Sequence, residues 1–133
     1  NPVSTVLHVA MEEQIERIKL TLYNVAKEKN VHCFGFVNPK ALILISNDRR
    51  NANYIQDSAC AAQNMMLAAH SLGIGSVWLN AIHALCDCEE IRNILREWGI
   101  LDQHVVVTML GMGHPMKEAV MPAKKQNVIS WID

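Results

Sequence analysis

Between Ala59 and Ala69 the chain has almost no polar position. Ala59, Cys60, Ala61, Ala62, Met65, Met66, Leu67, Ala68 and Ala69 occupy every face of a helical wheel. A helix that is apolar all round has no solvent face and calls for burial on several sides. Ala, Leu and Met favour helix, and the run holds neither Pro nor Gly. Gly73 follows as a left-handed stop. Gly75 allows a second bend, and Val77, Trp78 and Leu79 read as a short strand. The pattern predicts a buried central helix, a glycine turn and an emerging strand.

The flanking patterns are more conventional. From Asn1 to Val9, Val3, Thr5, Leu7 and Val9 alternate with Ser4, Val6 and His8, a strand period broken by the apolar Val6. Met11, Ile15, Ile18, Leu22 and Val25 then recur at helical spacing, with acids early and lysines late, as the helix dipole favours. This predicts an amphipathic helix from about Glu12 to Lys29. Asn30 to Lys40 reads as a loop around Gly35 and Asn38-Pro39. The run ALILI, Ala41 to Ile45, reads as a central strand, and Asn47 to Asn53 as a surface loop. Beyond Leu79, Asp87 with Glu90 three residues on predicts a helix cap. Ile91, Ile94, Leu95 and Trp98 form the stripe, and Gly99 the stop. His104 to Leu110 reads as a buried strand, broken by Gly111, Gly113 and Pro115 before a tail from Met116 to Asp133.

The order is strand, helix, strand, buried helix, strand, helix, strand, tail, without repeats or linkers. It predicts one domain over residues 1–133 in a three-layer α+β or α/β arrangement. So few elements cannot cover an all-apolar helix, so a second subunit is expected to supply cover, most simply as a symmetric dimer.

Composition narrows the function. Half of the 133 residues are hydrophobic, and the net charge is −1. That balance gives no electrostatic case for nucleic acid or an anionic membrane. No apolar run reaches the ~18 residues of a membrane span, and no signal peptide is visible. Four cysteines, Cys33, Cys60, Cys86 and Cys88, in a chain with this much core predict reduced thiols and a cytoplasmic setting. Cys60 is expected to be a small core residue on the central helix.

The string AAQNMMLAAHSLGIGSVW, Ala61 to Trp78, resembles the signature helix of the nitroreductase family of FMN-dependent oxidoreductases. In that family a small-residue helix ends in a Leu-Gly-Leu-Gly-type turn before a short strand that passes the flavin. The resemblance is clearest from about Asp57 to Val128. It implies a three-layer nitroreductase-like α+β fold, with a mixed central sheet flanked by helices, and an intertwined homodimer with FMN at the subunit interface. It also implies hydride transfer from NAD(P)H through the flavin to an electron-poor acceptor such as a nitroaromatic or a quinone. The family's first helix, with its Arg-Ser-x-Arg contacts, has no counterpart before Asn1, so the chain is expected to be truncated at its N-terminus relative to the family.

The same resemblance assigns cofactor contacts. Trp78, Leu79, Asn80 and Ala81 match the segment that runs past the flavin, where an amide of Asn80 or Ala81 would donate to the reactive ring nitrogen. Some relatives carry an acidic residue and a glycine at the Asn80 and Ala81 positions, so the backbone contact carries over and the side-chain contact does not. Lys124 and Lys125, after Pro122, match a basic pair that holds the FMN phosphate, Lys125 standing where arginine is usual. Asn1, before Pro2, stands where the family has a flavin-touching Gln. No acid, base or nucleophile is named, because in such enzymes the cofactor carries the chemistry.

Other chemistries fit less well. Gly73-Ile74-Gly75 looks like part of a dinucleotide fingerprint, but that motif follows a strand and opens a helix, and here the order is reversed. His83, Cys86 and Cys88, with His32 and Cys33, offer metal-binding side chains, but Cys86-x-Cys88 is too tight for the usual zinc pairing. There is no Gly-x-Ser-x-Gly elbow, and His70 reads as a dipole partner at the end of its helix. Two further readings stand beside the enzyme: a non-catalytic flavin or small-molecule binding module, and a dimerisation domain without cofactor.

Overall fold

The computed structural model describes residues 4–32, 38–124 and 128–132. The elements run β1 (Thr5–Met11), α1 (Glu12–Glu28), β2 (Ala41–Asp48), α2 (Tyr54–Ser71), β3 (Gly75–Leu79), α3 (Ala81–Leu85), α4 (Glu89–Glu97) and β4 (His104–Gly113). The sequence predicts each of these except α3. That helix has only five residues, too short to show a helical stripe.

The four strands form one sheet in the order β1-β2-β4-β3. Every pairing among the described residues is antiparallel, where the resemblance implies a mixed sheet. The reason lies in the connections: each pair of bonded neighbours is joined so that the second strand returns against the first. The fold is α+β in three layers. On one face α1, α3 and α4 bury Ile18, Leu22, Ile82, Leu85, Ile91 and Leu95 against Leu42, Leu44 and Met109. On the other, α2 seats Ala62 against Ile45 and Leu110, with Met65 and Met66 at the margin. No helix among the described residues is long and apolar enough to cross a membrane.

The central helix departs from its expected burial. Of its residues only Ser58, Ala62 and Ala69 are buried. These small residues lie on one side and let the helix approach the sheet closely. Leu67 is 59% exposed, Ile55 47%, and Leu72, just past the helix end, 75%. Cys60 is exposed too, not a core residue. The all-round apolar pattern therefore does not mean all-round burial within this chain. One face meets the sheet, and the other is uncovered. The uncovered region continues across the sheet onto β1, where Leu7 and Val9 pair with Ile45 and Ile43 and stand exposed.

The cap of α4 also differs from expectation. Its N-cap is Cys88, without a side-chain cap bond, because Asp87 is engaged elsewhere. Both oxygens of Asp87 accept from Arg49, at 2.8 and 2.5 Å, and one also accepts from Arg92 at 2.8 Å. These bonds hold the Asp87 carboxyl below its ordinary range, Arg49 contributing most. Arg92 is 4% exposed and also donates to the carbonyls of Leu101 and His104 and to the Cys86 sulfur. This network ties α4 to the start of β4.

A second polar cluster fastens the edge strand. Ser46, fully buried on β2, lies 2.9 Å from His8 Nε2 on β1 and 3.0 Å from His104 Nδ1 on β4. Burial, and then the neighbouring His104, lower the His8 pKa below its ordinary value. A histidine held below its unfolded pKa disfavours protonation in the folded state. Its stability contribution is complete above the unfolded pKa and is lost as the pH falls from there through the lower folded pKa. Thermal melts from about pH 8 to pH 5 should therefore show a Tm that declines once the pH passes ~6.5. His8→Gln should flatten that decline, and an unchanged slope would remove His8 as its source.

Candidate functional site

The site begins with how α2 stops. Gly73 takes φ +72°, and the Ile74 and Gly73 amides donate to the Ala69 and His70 carbonyls at 2.9 and 3.0 Å. This paired ending closes the last turn and needs a left-handed residue that glycine supplies without strain. Two residues on, Gly75 opens β3. A Cβ there would stand 3.2 Å from the Gly113 carbonyl oxygen, so the close approach of β3 to β4 favours glycine. β3 then runs antiparallel to β4, with Trp78 opposite Leu110 and Leu79 opposite Met109. It ends at Leu79 and passes through Asn80, the N-cap of α3.

A groove of about 410 Å³ opens beside this exit. Trp78, Leu79, Asn80 and Ala81 line one side of it. Ala84 of α3 and Val31 and His32, from beyond the end of α1, complete the wall. Trp78 is 37% exposed, and its indole N–H points to Asn80 Oδ1 at 3.5 Å, the outer limit of a hydrogen bond. Among the described residues the amides of Asn80 and Ala81 have no acceptor. The groove therefore combines apolar and aromatic walls with open backbone donors at one edge. Such a surface suits a flat, largely apolar ring with a polar rim.

The four residues expected at a flavin ring, Trp78 to Ala81, are thus brought together on one wall. Lys124 is exposed in the tail and is not among the lining residues. Asn1 and Lys125 lie outside the described residues, as does Cys33. Val31, His32 and Ala84 were not legible as ring neighbours. Val31 and His32 stand more than forty residues before Trp78 in the chain, and no local period links them.

Two of the side chains raised as metal ligands, His83 and Cys86, have other engagements. The His83 ring stacks on Tyr54, with ring centroids 6.3 Å apart and planes 5° from parallel. The Cys86 sulfur accepts from Arg92 at 3.1 Å and from the Val106 amide at 3.3 Å. Burial pushes the Cys86 thiol up despite those donors, which disfavours the thiolate a nucleophile needs. The arrangement can bind and orient a planar ligand; among the described residues its lining holds no carboxylate, lysine or cysteine.

Comparison with known proteins agrees with this layout. The sequence profile of the nitroreductase family matches residues 4–114. A protein of Archaeoglobus fulgidus, provisionally named NADH dehydrogenase/NAD(P)H nitroreductase, is 37% identical over 87 residues, which cover 61% of this chain and 48% of that protein. One of the same name from Methanothermobacter thermautotrophicus is 36% identical over 95 residues, covering 67% and 48%. The chain thus spans about half the length of the curated relatives it matches. Among solved structures, a nitroreductase with bound FMN from Bacteroides fragilis superposes with TM-score 0.80 at 25% identity, covering 98% of this chain and 76% of that one. One from Desulfitobacterium hafniense, also with FMN, superposes at 0.78 with 15% identity, covering 99% and 77%, and speaks to the fold alone. A match over residues 4–114, well over half of the chain, on an architecture that the Bacteroides structure repeats, makes this chain a member of the nitroreductase family.

Proposed function

We propose that the groove beside β3 receives the ring of FMN and that the chain works as an NAD(P)H-dependent oxidoreductase. One observation carries this reading: the consecutive residues Trp78 to Ala81, matched to the flavin-passing segment, line a single ring-sized groove with two open backbone amides. The donor set fits a flavin, since its polar edge needs acceptorless N–H groups and its body needs apolar cover. The chemistry supplied by bound FMN is acceptance of hydride from NAD(P)H and delivery of electrons to an electron-poor acceptor such as a nitroaromatic or quinone. The protein's part is to place the Asn80 or Ala81 amide against the ring and to keep Trp78 beside it. Lys124 and Lys125 are the proposed partners of the FMN phosphate, as point charges, with Asn1 at the ring.

The uncovered face of α2 supports a homodimer. Leu67 stands out from it, Ile55 and Leu72 are exposed near its two ends, and Leu7 and Val9 are exposed on β1. Contiguous apolar patches of this kind mark association surfaces. A second copy seated there would give the central helix its missing cover. The described cysteines are free, which fits a reducing, cytoplasmic setting.

An absorbance spectrum of the purified protein should show bound flavin, and adding NAD(P)H should bleach it. Flavin that stays oxidised under NAD(P)H would select the non-catalytic binding module instead. Ala84 is exposed on α3, so Ala84→Phe should leave stability within about 0.5 kcal/mol. It should also fill the groove and weaken FMN binding on the order of tenfold or more, a loss of ~1.4 kcal/mol, measured by flavin fluorescence titration. Leu67→Glu places a charge on the uncovered face and should shift sedimentation from dimer to monomer; a persistent dimer would move the interface elsewhere.

A further inference from the structure

The Leu79–Asn80 peptide is where β3 leaves the sheet, and a buried side chain holds it. Thr108 on β4 is fully buried and donates its hydroxyl to the Leu79 carbonyl at 3.1 Å. The carbonyl of Met109 stands farther, at 3.5 Å. A hydroxyl has one proton to give, and the nearer acceptor takes it. Thr108 sits beside a register shift: Ile45 pairs with Thr108 and Ser46 with Val106, which leaves Val107 as an extra residue. Bulges re-aim neighbouring side chains, and this one adjoins Thr108.

The consequence is directional. β3 is an edge strand, bonded to β4 alone. In a trans peptide the C=O and the following N–H point in opposite directions, and none of the described peptide bonds is cis. With the Leu79 carbonyl turned toward Thr108, the Asn80 amide is turned away from β4, toward the open edge and the groove. Neither the sequence resemblance nor the family comparison assigns Thr108 any part in this.

We propose that Thr108 is a positioning residue, whose hydroxyl sets the Leu79–Asn80 peptide so that the Asn80 amide stands as a fixed donor in the groove. The proposal rests on the flavin reading above. A fixed donor at that edge favours the electron-rich reduced ring over the oxidised one, so Thr108 tunes the flavin potential without touching the flavin. Losing the hydroxyl frees the peptide to rock and scatters the donor direction.

The test compares Thr108→Val, which keeps the branched shape and removes the hydroxyl, with Thr108→Ser, which keeps the hydroxyl. Thr108→Ala serves if Val does not fold. Two readouts are needed. In flavin-free protein, the Asn80 amide cross-peak in a proton–nitrogen NMR spectrum should move or broaden in Val and return toward its original place in Ser. In FMN-loaded protein, the preference for reduced over oxidised flavin, read as the midpoint potential, should fall on the order of tenfold in Val, the scale of one charge-assisted hydrogen bond. Ser should restore it. An Asn80 peak that Val leaves in place overturns the proposal, whether or not flavin binds. A moved peak with an unchanged potential overturns it as well. A native protein that takes up no FMN sinks the flavin reading itself; a moved, Ser-rescued peak would then leave Thr108 as the holder of the peptide and overturn its role toward the flavin.

Discussion

β3 and β4 approach each other closely where Gly75 pairs with Gly113. The Gly75 Cα lies so close to the Gly113 carbonyl that any Cβ would stand 3.2 Å from its oxygen. That contact sets where β3 begins, hence where it ends, and the register carries Leu79 opposite Met109 and close to the Thr108 hydroxyl. The groove inherits its position from this chain of constraints. Gly73 matters for the same reason one step earlier, because its left-handed turn brings the chain off α2 and back across the sheet. A side chain at Gly73 would strain its left-handed backbone, and one at Gly75 would press on the Gly113 carbonyl.

The central helix shows how small residues divide labour along one element. Ser58, Ala62 and Ala69 form a shallow side that lets α2 lie close to Ile45 and Leu110. The larger Leu67 points the other way. In a lone chain that outer side would leave apolar surface in water, at roughly 25 cal/mol for each Å². Of the 18 residues of α2 only Ser58, Ala62 and Ala69 are buried, so the helix is apolar all round yet seated along one narrow side. The same physics applies to β1, whose Leu7 and Val9 lie beyond the reach of α2.

Charge is kept away from the groove and used as framework. Arg92 and Arg49 share Asp87 and reach the carbonyls of Leu101, Asp102 and His104 where the chain enters β4. Ser46 joins the edge strand to the centre through two histidines. Apart from His32 and Asn80, the described lining of the groove is apolar or aromatic. That division suits a site in which a cofactor supplies the reactivity and the protein supplies a shaped, oriented surface. It also explains why a search for acid–base pairs or ligand clusters in the sequence leads away from the site.

Local pattern sufficed for the elements themselves. The stripe of α1, the ALILI strand, the glycine stops at Gly73 and Gly99 and the strand before Gly111 all follow from periods and backbone preferences that act within a few residues. The wall formed by Trp78 to Ala81 was legible for the same reason, because it is one contiguous segment marked by its glycine turn. Burial was not. Ala59 to Ala69 spell an apolar helix, but which side meets the sheet depends on Ile45 and Leu110, brought there by pairings across more than forty residues. Asp87 reads as a cap until Arg49 arrives from a distant loop and takes its carboxylate. Val31 and His32 reach the groove, and Thr108 reaches the Leu79 carbonyl, only once the sheet has assembled. Residue types and their spacing determined the helices, strands and stops, since these are short-range preferences of the backbone. Three-dimensional packing alone decided which faces are covered and where the groove's donors point, since those depend on partners that the linear order keeps far apart.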